Sequence, residues 1–549
     1  MGTQRFVQGL RLPYYWTHGS ISSRALFPLG DPPPSETSPT VYIAGRKPIN
    51  VCTQGMSFSA PCWLQQILIL CGTDESSSPA AIDVLPDDVL LDIFDFYRNN
   101  HNYSFRPAWK WHILVHVCQR WRHVAFASPQ RLKIQVLCTF GTPVRKNLGI
   151  WPAFPIILNF FSLSQLSPGD EDNVIAALEY PNRVCSVRLN VTGLQLGRMV
   201  TLMQEPFPLL TRLFIVSRDA PVIPSEFLGD SAPCLQEITF SGIPFPALPA
   251  LLLSTRDLVT LTLKNIPLSG YISPSAMAAG LAALPRLERF TIEFQSAAPL
   301  LDQIRPPPVP PRTVLPSLTF FHFQGGNNYL EDLVSQLDGP QLNEIDIVYL
   351  DPPVDFQVPR LSTFIERSVG PELTPSSRAH VCFRSDEVDF TLYRHSNCPG
   401  WDRHPVRTTI SSDAFNLQVS DLAQVLSRFS ATLFAVVHLE LDAQLEDDYR
   451  LERTNVVEWL HIFRQFPAVQ TLHVSWRLTG FIALALNGIR GETVAEVLPF
   501  LELICLEGQM ISFIEKFNFF ADRRLSDRPV SLVATRKEFD KRLEFYIGK

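Results

Sequence analysis

Charged residues are scarce in this chain of 549 residues, at 18% of the total, whereas hydrophobic residues make up 46%. Soluble domains usually contain about 25% charged residues, so the composition indicates a chain that buries a large apolar core. The net charge of −7 argues against a nucleic-acid partner, because proteins that bind nucleic acids present a clustered basic face.

Long apolar runs are also missing. No stretch reaches the roughly 18 to 20 apolar residues that cross a bilayer, and the N-terminus lacks the order of charged, apolar and small residues found in a secretory signal. We therefore expect an intracellular protein, either cytoplasmic or nuclear, that has no membrane partner.

Motifs of metal, redox and catalytic sites are absent as well. The 10 cysteines include no CxxC pair, and the spacing of His395, Cys398 and His404 fits no established zinc module. Neither HExxH, GxSxG nor a glycine-rich phosphate loop occurs, and no base stands beside a nucleophile. We expect a protein that is not an enzyme and that uses no metal and no cofactor.

Proline, by contrast, is abundant, with 46 residues. Each proline inside a helix costs about 3 kcal/mol, so an array of helical repeats would tolerate this content poorly. Short strands that are separated by loops accept proline easily. The proline content therefore favours a repeat that contains β-strands.

A repeat is present from residue 181 onward. The pattern apolar-x-x-apolar-x-apolar recurs in seven consecutive copies that begin 23 to 31 residues apart. This period and pattern are typical of a leucine-rich repeat solenoid with one short parallel strand in each repeat. The frame is irregular between about 350 and 430 and then returns in three more copies. The copies begin at Val184, Leu210, Leu235, Leu258, Leu287, Leu318 and Leu342, and later at Phe434, Val469 and Leu501.

A short helical unit precedes the repeats. Leu85-Pro86-Asp87-Asp88 places a proline and acidic residues where the first turn of a helix favours them. Val89, Ile93, Phe94 and Tyr97 follow at helical spacing. A polar insert spans residues 98–108, and a second amphipathic segment ends at Ser128. We expect three helices in about 45 residues, which is small for an independent core.

These segments define the expected architecture, an α/β repeat fold. An N-terminal helical unit precedes an irregular leucine-rich repeat solenoid, whose curved parallel sheet carries helices and loops on its convex side; Ser275–Leu284 and Tyr329–Leu337 are two such predicted helices. The expected domains are a low-order N-terminal extension at 1–80, the helical unit at 82–130, a linker or cap at 131–180, the repeats at 181–530 and a C-terminal tail at 531–549.

The helical unit resembles the F-box. The resemblance rests on the opening Leu85-Pro86 and on Val117-Cys118-Gln119-Arg120-Trp121-Arg122, which follow in the expected order. More narrowly, residues 82 to 530 resemble the large F-box and leucine-rich repeat family of mushroom-forming fungi. The long insert at 98–108 departs from the tight turn of many F-boxes.

The resemblance implies a substrate receptor of an SCF-type, cullin-based ubiquitin ligase. In such a ligase the F-box binds a Skp-type adaptor on the cullin scaffold, and the repeats hold a target protein. By match to the motif, the residues assigned to adaptor contact or to the core beneath it are Leu85, Pro86, Val89, Ile93, Cys118 and Trp121. The alternative is a repeat scaffold for protein–protein interaction, in which the helical unit is only a cap and has no role in ubiquitin transfer.

The outward positions of the predicted strands form the expected target-binding face. Their mixture of both charges with an aromatic side chain suits protein recognition. The alternative is a solvated sheet surface that binds nothing. The residues assigned to target binding are Arg188, Arg212, Phe214, Glu237, Lys264, His322 and Asp346.

Overall fold

The structure is a computed structural model. It describes residues 85–99, 110–162, 166–296, 312–350, 359–369, 377–394, 403–411, 415–429, 433–444, 456–488, 497–507, 517 and 530–535. The compact unit that contains them begins at Leu85. The predicted extension at 1–80 and most of the insert at 98–108 lie outside the described residues.

Three helices open the described chain: α1 (Asp87–Asn99), α2 (Lys110–Val117) and α3 (Gln119–Ala127). Asp87 and Asp88 lie in the first turn of α1, where the helix dipole favours negative charge. Leu90, Leu91 and Phe94 of α1 are buried. The sequence predicts these three helices, although it assigns Val89 and Phe94 to one face, whereas the helix buries Phe94 and exposes Val89.

Sixteen strands of the described residues form one sheet. Its order is β1-β2-β3-β4-β5-β6-β7-β9-β11-β14-β13-β12-β15-β16-β17-β18, and two short strands, β8 and β10, pair with each other outside it. The strands are β1 (Val136–Cys138), β2 (Ile156–Phe160), β3 (Val184–Val191), β4 (Arg212–Ser217), β5 (Glu237–Ser241), β6 (Thr260–Ile266), β7 (Arg289–Phe294), β8 (Thr313–Val314), β9 (Phe320–Gly325), β10 (Leu337–Asp338), β11 (Glu344–Tyr349), β12 (Ser377–Phe383), β13 (Glu387–Arg394), β14 (Arg403–Ser411), β15 (Val436–Ala443), β16 (Thr471–Val474), β17 (Leu503–Glu507) and β18 (Ser531–Thr535).

Helices connect many of these strands, as parallel pairing requires a crossover. Two of them, α8 and α9, overlap the segments that the sequence predicts as helical. The further helices are α4 (Val144–Ile150), α5 (Pro168–Leu178), α6 (Gly193–Val200), α7 (Leu248–Leu252), α8 (Pro274–Leu281), α9 (Asn327–Ser335), α10 (Pro359–Val369), α11 (Phe415–Arg428), α12 (Val456–Arg464) and α13 (Thr479–Asn487).

The repeated apolar pattern becomes the core of the sheet. Along one continuous row of register partners, the second apolar residue of each repeat lies beside its counterpart in the next strand. All seven residues of this row are fully buried, and burying such a side chain contributes about 1.5–3 kcal/mol. The row consists of Val187, Leu213, Ile238, Leu261, Phe290, Phe321 and Ile345.

A turn precedes the strand in most repeats. The first apolar residue of the repeat donates its backbone N–H to the carbonyl three residues earlier, as Leu210 does to Phe207 at 3.2 Å and Leu342 to Gly339 at 3.1 Å. The same turn recurs before β16, at Val469, and before β17, at Leu501. The leucine-rich pattern therefore marks the entry of each strand as well as its buried face, and the fold is an irregular α/β repeat solenoid.

The structure departs from the expected domain boundaries at two places. Residues 131–180, which we expected to be a linker or cap, contribute β1 and β2, which begin the parallel sheet. At the other end, Ser531–Thr535 of the expected tail pairs in parallel with β17. Strand β1 lacks the six-residue pattern on which the expected boundary depended.

The irregular frame between 350 and 430 has a structural cause. Strand β13 pairs antiparallel with both β12 and β14, so the chain reverses direction twice inside an otherwise parallel sheet. Strands β14 and β12 then pair in parallel with β11 and β15, respectively.

Among the described helices, none combines the length and the apolar character that a membrane span requires.

Candidate interaction surfaces

Arg120 joins the two halves of the F-box-like motif. Its guanidinium donates to the carbonyl oxygen of Leu85 and to Oδ1 of Asp87, the latter at 2.8 Å. Thirty-three residues separate Arg120 from Asp87 in sequence, and most of the polar insert lies between them. The start of α1 and the start of α3 are therefore adjacent.

Cys118 has a local structural role. It is the N-cap of α3, with an extended backbone at φ −153°, and its Sγ accepts a hydrogen bond from the backbone N–H of Trp121 at 3.4 Å. The Trp121 ring packs against Phe94, with 4.8 Å between ring centroids. Both Cys118 and Trp121 remain half-buried, so they lie at the boundary between the core of the helical unit and its surface.

The first two helices keep apolar side chains on their outer surface. Val89 is 37% exposed and Phe96 is 70% exposed on α1, with Ile93 half-buried beside them. On α2, Ile113 and Val117 are each about half exposed and stand four residues apart, on one helix face. A helix of a small monomer normally turns such residues inward, whereas each of these two helices leaves apolar side chains that no described residue covers.

The helical unit also packs on the first repeats. Trp111 of α2 is buried and donates its indole N–H to the backbone carbonyl of Gln135, at 2.9 Å, directly before β1. Its ring makes edge contacts with Phe126 of α3 and with Trp151 and Phe154, which precede β2. The unit therefore covers the N-terminal end of the repeats, and the sequence predictions did not identify Trp111.

The seven residues assigned to target binding all lie on one face of the sheet. Arg188, Phe214, His322 and Asp346 belong to the middle row of register partners on that face. Arg212 and Glu237 are register partners in a second row. Lys264 belongs to a third. We call this surface the open face, since its strand residues alternate with the buried row, and Arg188, Arg212 and Lys264 are exposed there.

Charges near the centre of the open face are paired. Nδ1 of His322 lies 2.9 Å from Asp346, its Nε2 lies 3.3 Å from Glu293, and Lys264 lies 2.8 Å from the same Glu293 oxygen. Burial alone would lower the pKa of His322, but the two carboxylates outweigh it and raise the pKa to about 9. His322 is therefore an imidazolium at neutral pH.

The pKa of Glu293 shifts in the opposite direction. Burial would raise its pKa, but hydrogen bonds from His322 and Lys264, together with their charges, lower it. Lys264, Glu293, His322 and Asp346 thus form a chain of alternating charge across β6, β7, β9 and β11. These contacts link β6 to β7, β7 to β9 and β9 to β11, so each of the four charges has an opposite charge beside it, although the buried Oδ1 of Asp346 accepts no hydrogen bond from the described residues.

A second paired group surrounds Asp389 of β13. This carboxylate is buried and accepts from Arg384, from Arg407 at 3.1 Å and from the hydroxyl of Thr409 at 2.6 Å. Farther along, Arg378 pairs with Glu440, and burial together with Arg378 lowers the pKa of His380 despite the acidic groups nearby. The antiparallel part of the open face is therefore also internally neutralised.

On the first strands of the open face, an arginine packs against two aromatic rings. The guanidinium carbon of Arg188 lies 5.6 Å from the ring centroid of Phe161 and 5.3 Å from that of Phe214. The two rings meet edge to face, with centroids 5.0 Å apart. Phe161 is not among the predicted site residues, because it follows β2, in the segment that we expected to be a linker; the alternation of Ile156, Leu158 and Phe160 is the pattern that would have identified that strand.

Comparisons with known proteins add little about function. No family model and no curated protein matches the chain. Among solved structures, the crystal structure of a TLR13–ssRNA13 complex matches at 14% identity and a TM-score of 0.30, over 73% of this chain and 49% of that one, so the chain spans about half of it. The leucine-rich repeat-containing protein LegL7 from Legionella pneumophila matches at 11% identity and a TM-score of 0.24, over 71% of this chain and 98% of that one.

Proposed function

We propose that this protein is the substrate-recognition subunit of an SCF-type ubiquitin ligase. Its helical unit would bind a Skp-type adaptor on the cullin scaffold, and the open face of the repeats would bind a target protein. The protein would supply no reactive group: it would act by holding the target near the charged enzyme, which raises the effective concentration of the two. On this proposal the protein is not an enzyme and needs no cofactor.

The outer apolar surface of α1 and α2 is the observation that carries the adaptor half of the proposal. A unit of three helices that served only as a cap would expose polar side chains outward, because caps need a soluble outer face. Val89, Phe96, Ile113 and Val117 instead remain accessible. Burial of these side chains in a complex would stabilise it by about 25 cal/mol for each Å² of apolar area removed from water.

The order of the two surfaces along the chain supports the same proposal. The helical unit lies at one end of the repeats, while the residues assigned to target binding begin at β3 and extend across the sheet to β11. A partner on the outer surface of α1 would therefore contact residues other than those assigned to target binding. An adaptor of two partners requires separate surfaces of this kind.

Isothermal titration with a purified Skp-type adaptor tests the adaptor half. We expect the full chain to form a complex at micromolar protein, and Val89→Asp to weaken it at least tenfold, since the new carboxylate would lie in the apolar contact. The double variant Leu85→Ala with Pro86→Ala should also abolish binding while the repeats stay folded.

The matched control is Leu484→Asp, which introduces the same charge at an exposed leucine of α13. It should bind the adaptor as the unmodified chain does. The absence of any complex at micromolar protein, or equal losses in Val89→Asp and Leu484→Asp, would contradict the proposal.

The second candidate is a scaffold for protein–protein interaction whose helical unit is only a cap. The packing of Trp111 on Trp151 and Phe154 favours a cap, and it is compatible with adaptor binding as well. For a cap alone, deletion of residues 85–130 should destabilise the repeats while the full chain binds no adaptor. The adaptor titration therefore separates the two candidates.

A further inference from the structure

We propose that the open face of β2 to β4 binds a short acidic peptide segment that carries an aromatic side chain, with Arg188 and Arg212 as the cationic contacts and Phe161 and Phe214 as the aromatic ones. This inference deepens the target-binding half of the proposed function and rests on it for its biological meaning. The binding itself concerns only the four named side chains.

Arg188 and Arg212 differ from Lys264 and His322 in their ion pairs. Across the part of the chain that the structure describes, no carboxylate lies within ion-pair distance of Arg188 or Arg212, although Glu237 is the register partner of Arg212. On the central strands, Lys264 and His322 are already paired with Glu293 and Asp346, whereas Arg289 of β7 forms no ion pair among the described residues. A ligand that brings two carboxylates finds two such arginines on the neighbouring strands β3 and β4.

Arg188 is held in place by the aromatic rings beside it. The guanidinium carbon of Arg188 lies over two aromatic rings, 5.3 and 5.6 Å from their centroids, a geometry in which a cation is attracted to both. An arginine that is already held in this way loses less side-chain freedom when it binds a carboxylate. Arginine and aromatic residues are also the side chains that most often dominate the energy of protein interfaces.

The aromatic part of the ligand follows from Phe161. This side chain is 43% exposed and stands edge to face with Phe214. Aromatic rings prefer offset or edge-to-face contacts with further rings, so the exposed surface of Phe161 suits another aromatic side chain better than a purely aliphatic one.

The size of the surface limits the ligand. Neighbouring strands are about 4.8 Å apart and an extended peptide rises about 3.3 Å per residue, so roughly four residues cross β2, β3 and β4. A longer polyanion that continued across the sheet would meet Glu237 and Glu344, and the chain has a net charge of −7. These features favour a short acidic peptide over a nucleic acid.

Fluorescence anisotropy with the full chain tests the inference. The probe is a fluorescein-labelled pentapeptide in which two aspartates stand on each side of a central phenylalanine. We expect a dissociation constant below 1 mM in low salt (roughly 50 mM, where ion pairs are weakly screened), and at least tenfold weaker binding after Arg188→Glu or Arg212→Glu. The asparagine version of the peptide should bind at least tenfold more weakly than the probe.

The matched control variant is Arg289→Glu. Arg289 is also an exposed arginine of the sheet, and it also lies over a ring, at 4.0 Å from the centroid of Phe320, but it belongs to β7. We expect this variant to bind the probe as the unmodified chain does. Equal loss in all three variants would show general electrostatic attraction and would overturn the inference, as would a probe that does not bind.

Two further measurements complete the test. Arg188→Lys keeps the charge but lacks the planar group, so it should bind the probe with intermediate affinity. Such binding would show that a substitution at this position leaves the protein folded. A single-stranded uridine decamer that binds more tightly than the acidic peptide would overturn the inference in favour of a nucleic-acid site. Adaptor titration of Arg188→Glu should match that of the unmodified chain, so failure of the proposed function and failure of this inference are distinguishable.

Discussion

The guanidinium of Arg120 and the carboxylate of Asp87 lie 2.8 Å apart, where the first turn of α1 meets the first turn of α3. The same guanidinium also donates to the backbone carbonyl of Leu85. Both side chains are partly exposed, so the ion pair itself contributes little, whereas a charge-assisted bond to a carbonyl contributes about 1.5–3 kcal/mol. The orientation of the Leu85-Pro86 turn therefore depends mainly on the bond to Leu85.

We predict that Arg120→Ala destabilises the start of α1 by about 1–2 kcal/mol. Hydrogen exchange of the α1 amides measures this change. The control is Arg131→Ala, which removes an ion pair to Asp92 of the same helix but no side-chain bond to a carbonyl; it should cost no more than about 0.5 kcal/mol. Equal protection of the α1 amides in Arg120→Ala and in the unmodified chain would contradict the structural role of Arg120.

A second prediction separates the cap from the outer surface on one helix. Trp111→Ala should lower the free energy of unfolding by about 3–5 kcal/mol, because it removes a buried ring and leaves the carbonyl of Gln135 without its donor. Ile113→Ser, two residues later on α2, should change it by no more than about 0.5 kcal/mol, since this side chain is largely exposed. Urea unfolding followed by circular dichroism measures both, and equal effects would mean that α2 does not cap the repeats.

The repeats were predictable from sequence because their pattern has a direct physical meaning. In the six copies from Leu210 to Leu342, the three apolar positions coincide with the turn residue and the two buried strand residues, as Leu210, Leu213 and Ile215 illustrate. The copy predicted to begin at Phe434 is one residue out of register, because Phe434 is 61% exposed and the structure buries Leu433 and Val436 instead. Only these buried positions are restricted to apolar side chains, whereas the outward residues between them can be of any type. The same freedom explains why the pattern could not indicate which outward residues bind a partner.

The features of the fold that the sequence did not predict also have physical explanations. A three-residue strand such as β1 is too short for a period to be visible, and the residue before it is held by a hydrogen bond from Trp111 of α2, which no local pattern reveals. Alternation along β13 predicts a strand but not its direction, because parallel and antiparallel strands share a period of two. The ion pair of Lys264 with Glu293 forms between two strands, so the residue pattern of a single strand does not reveal it.

A third prediction concerns Gly242, which follows β5. Its φ of +70° lies in the left-handed region, and a Cβ atom built there would stand 2.0 Å from the carbonyl oxygen of Ser217. We expect Gly242→Ala to destabilise the protein by about 3 kcal/mol or more, through backbone strain together with overpacking.

The control for this substitution is Gly197→Ala, in the middle of α6. That position has ordinary helical geometry and open space around the new methyl group, so the variant should be more stable by about 0.5–1 kcal/mol. The midpoint of urea unfolding checks both variants. A Gly242→Ala protein as stable as the unmodified chain would mean that the turn between β5 and α7 adopts another conformation.

The last prediction follows from the charge chain at His322. The folded pKa is raised to about 9 from an ordinary value near 6.5, so the folded state binds the proton more tightly than the unfolded state does. The resulting stability is fully present below about pH 6.5 and is lost as the pH rises through about 9. At about 1.4 kcal/mol for each pKa unit, the loss is on the order of 3 kcal/mol.

We expect the free energy of unfolding of the unmodified chain to fall across this window more steeply than that of His322→Gln, which has no such proton. The two curves must be compared by difference, because buried thiols such as Cys138, whose pKa burial raises to about 12, also lower stability once the unfolded thiols ionise above about pH 8.5. His123→Gln, at an exposed position of α3, should retain the slope of the unmodified chain. If His322→Gln retained it too, the imidazolium would not be the group that links β7, β9 and β11, and the central charges of the open face would be free to bind a target.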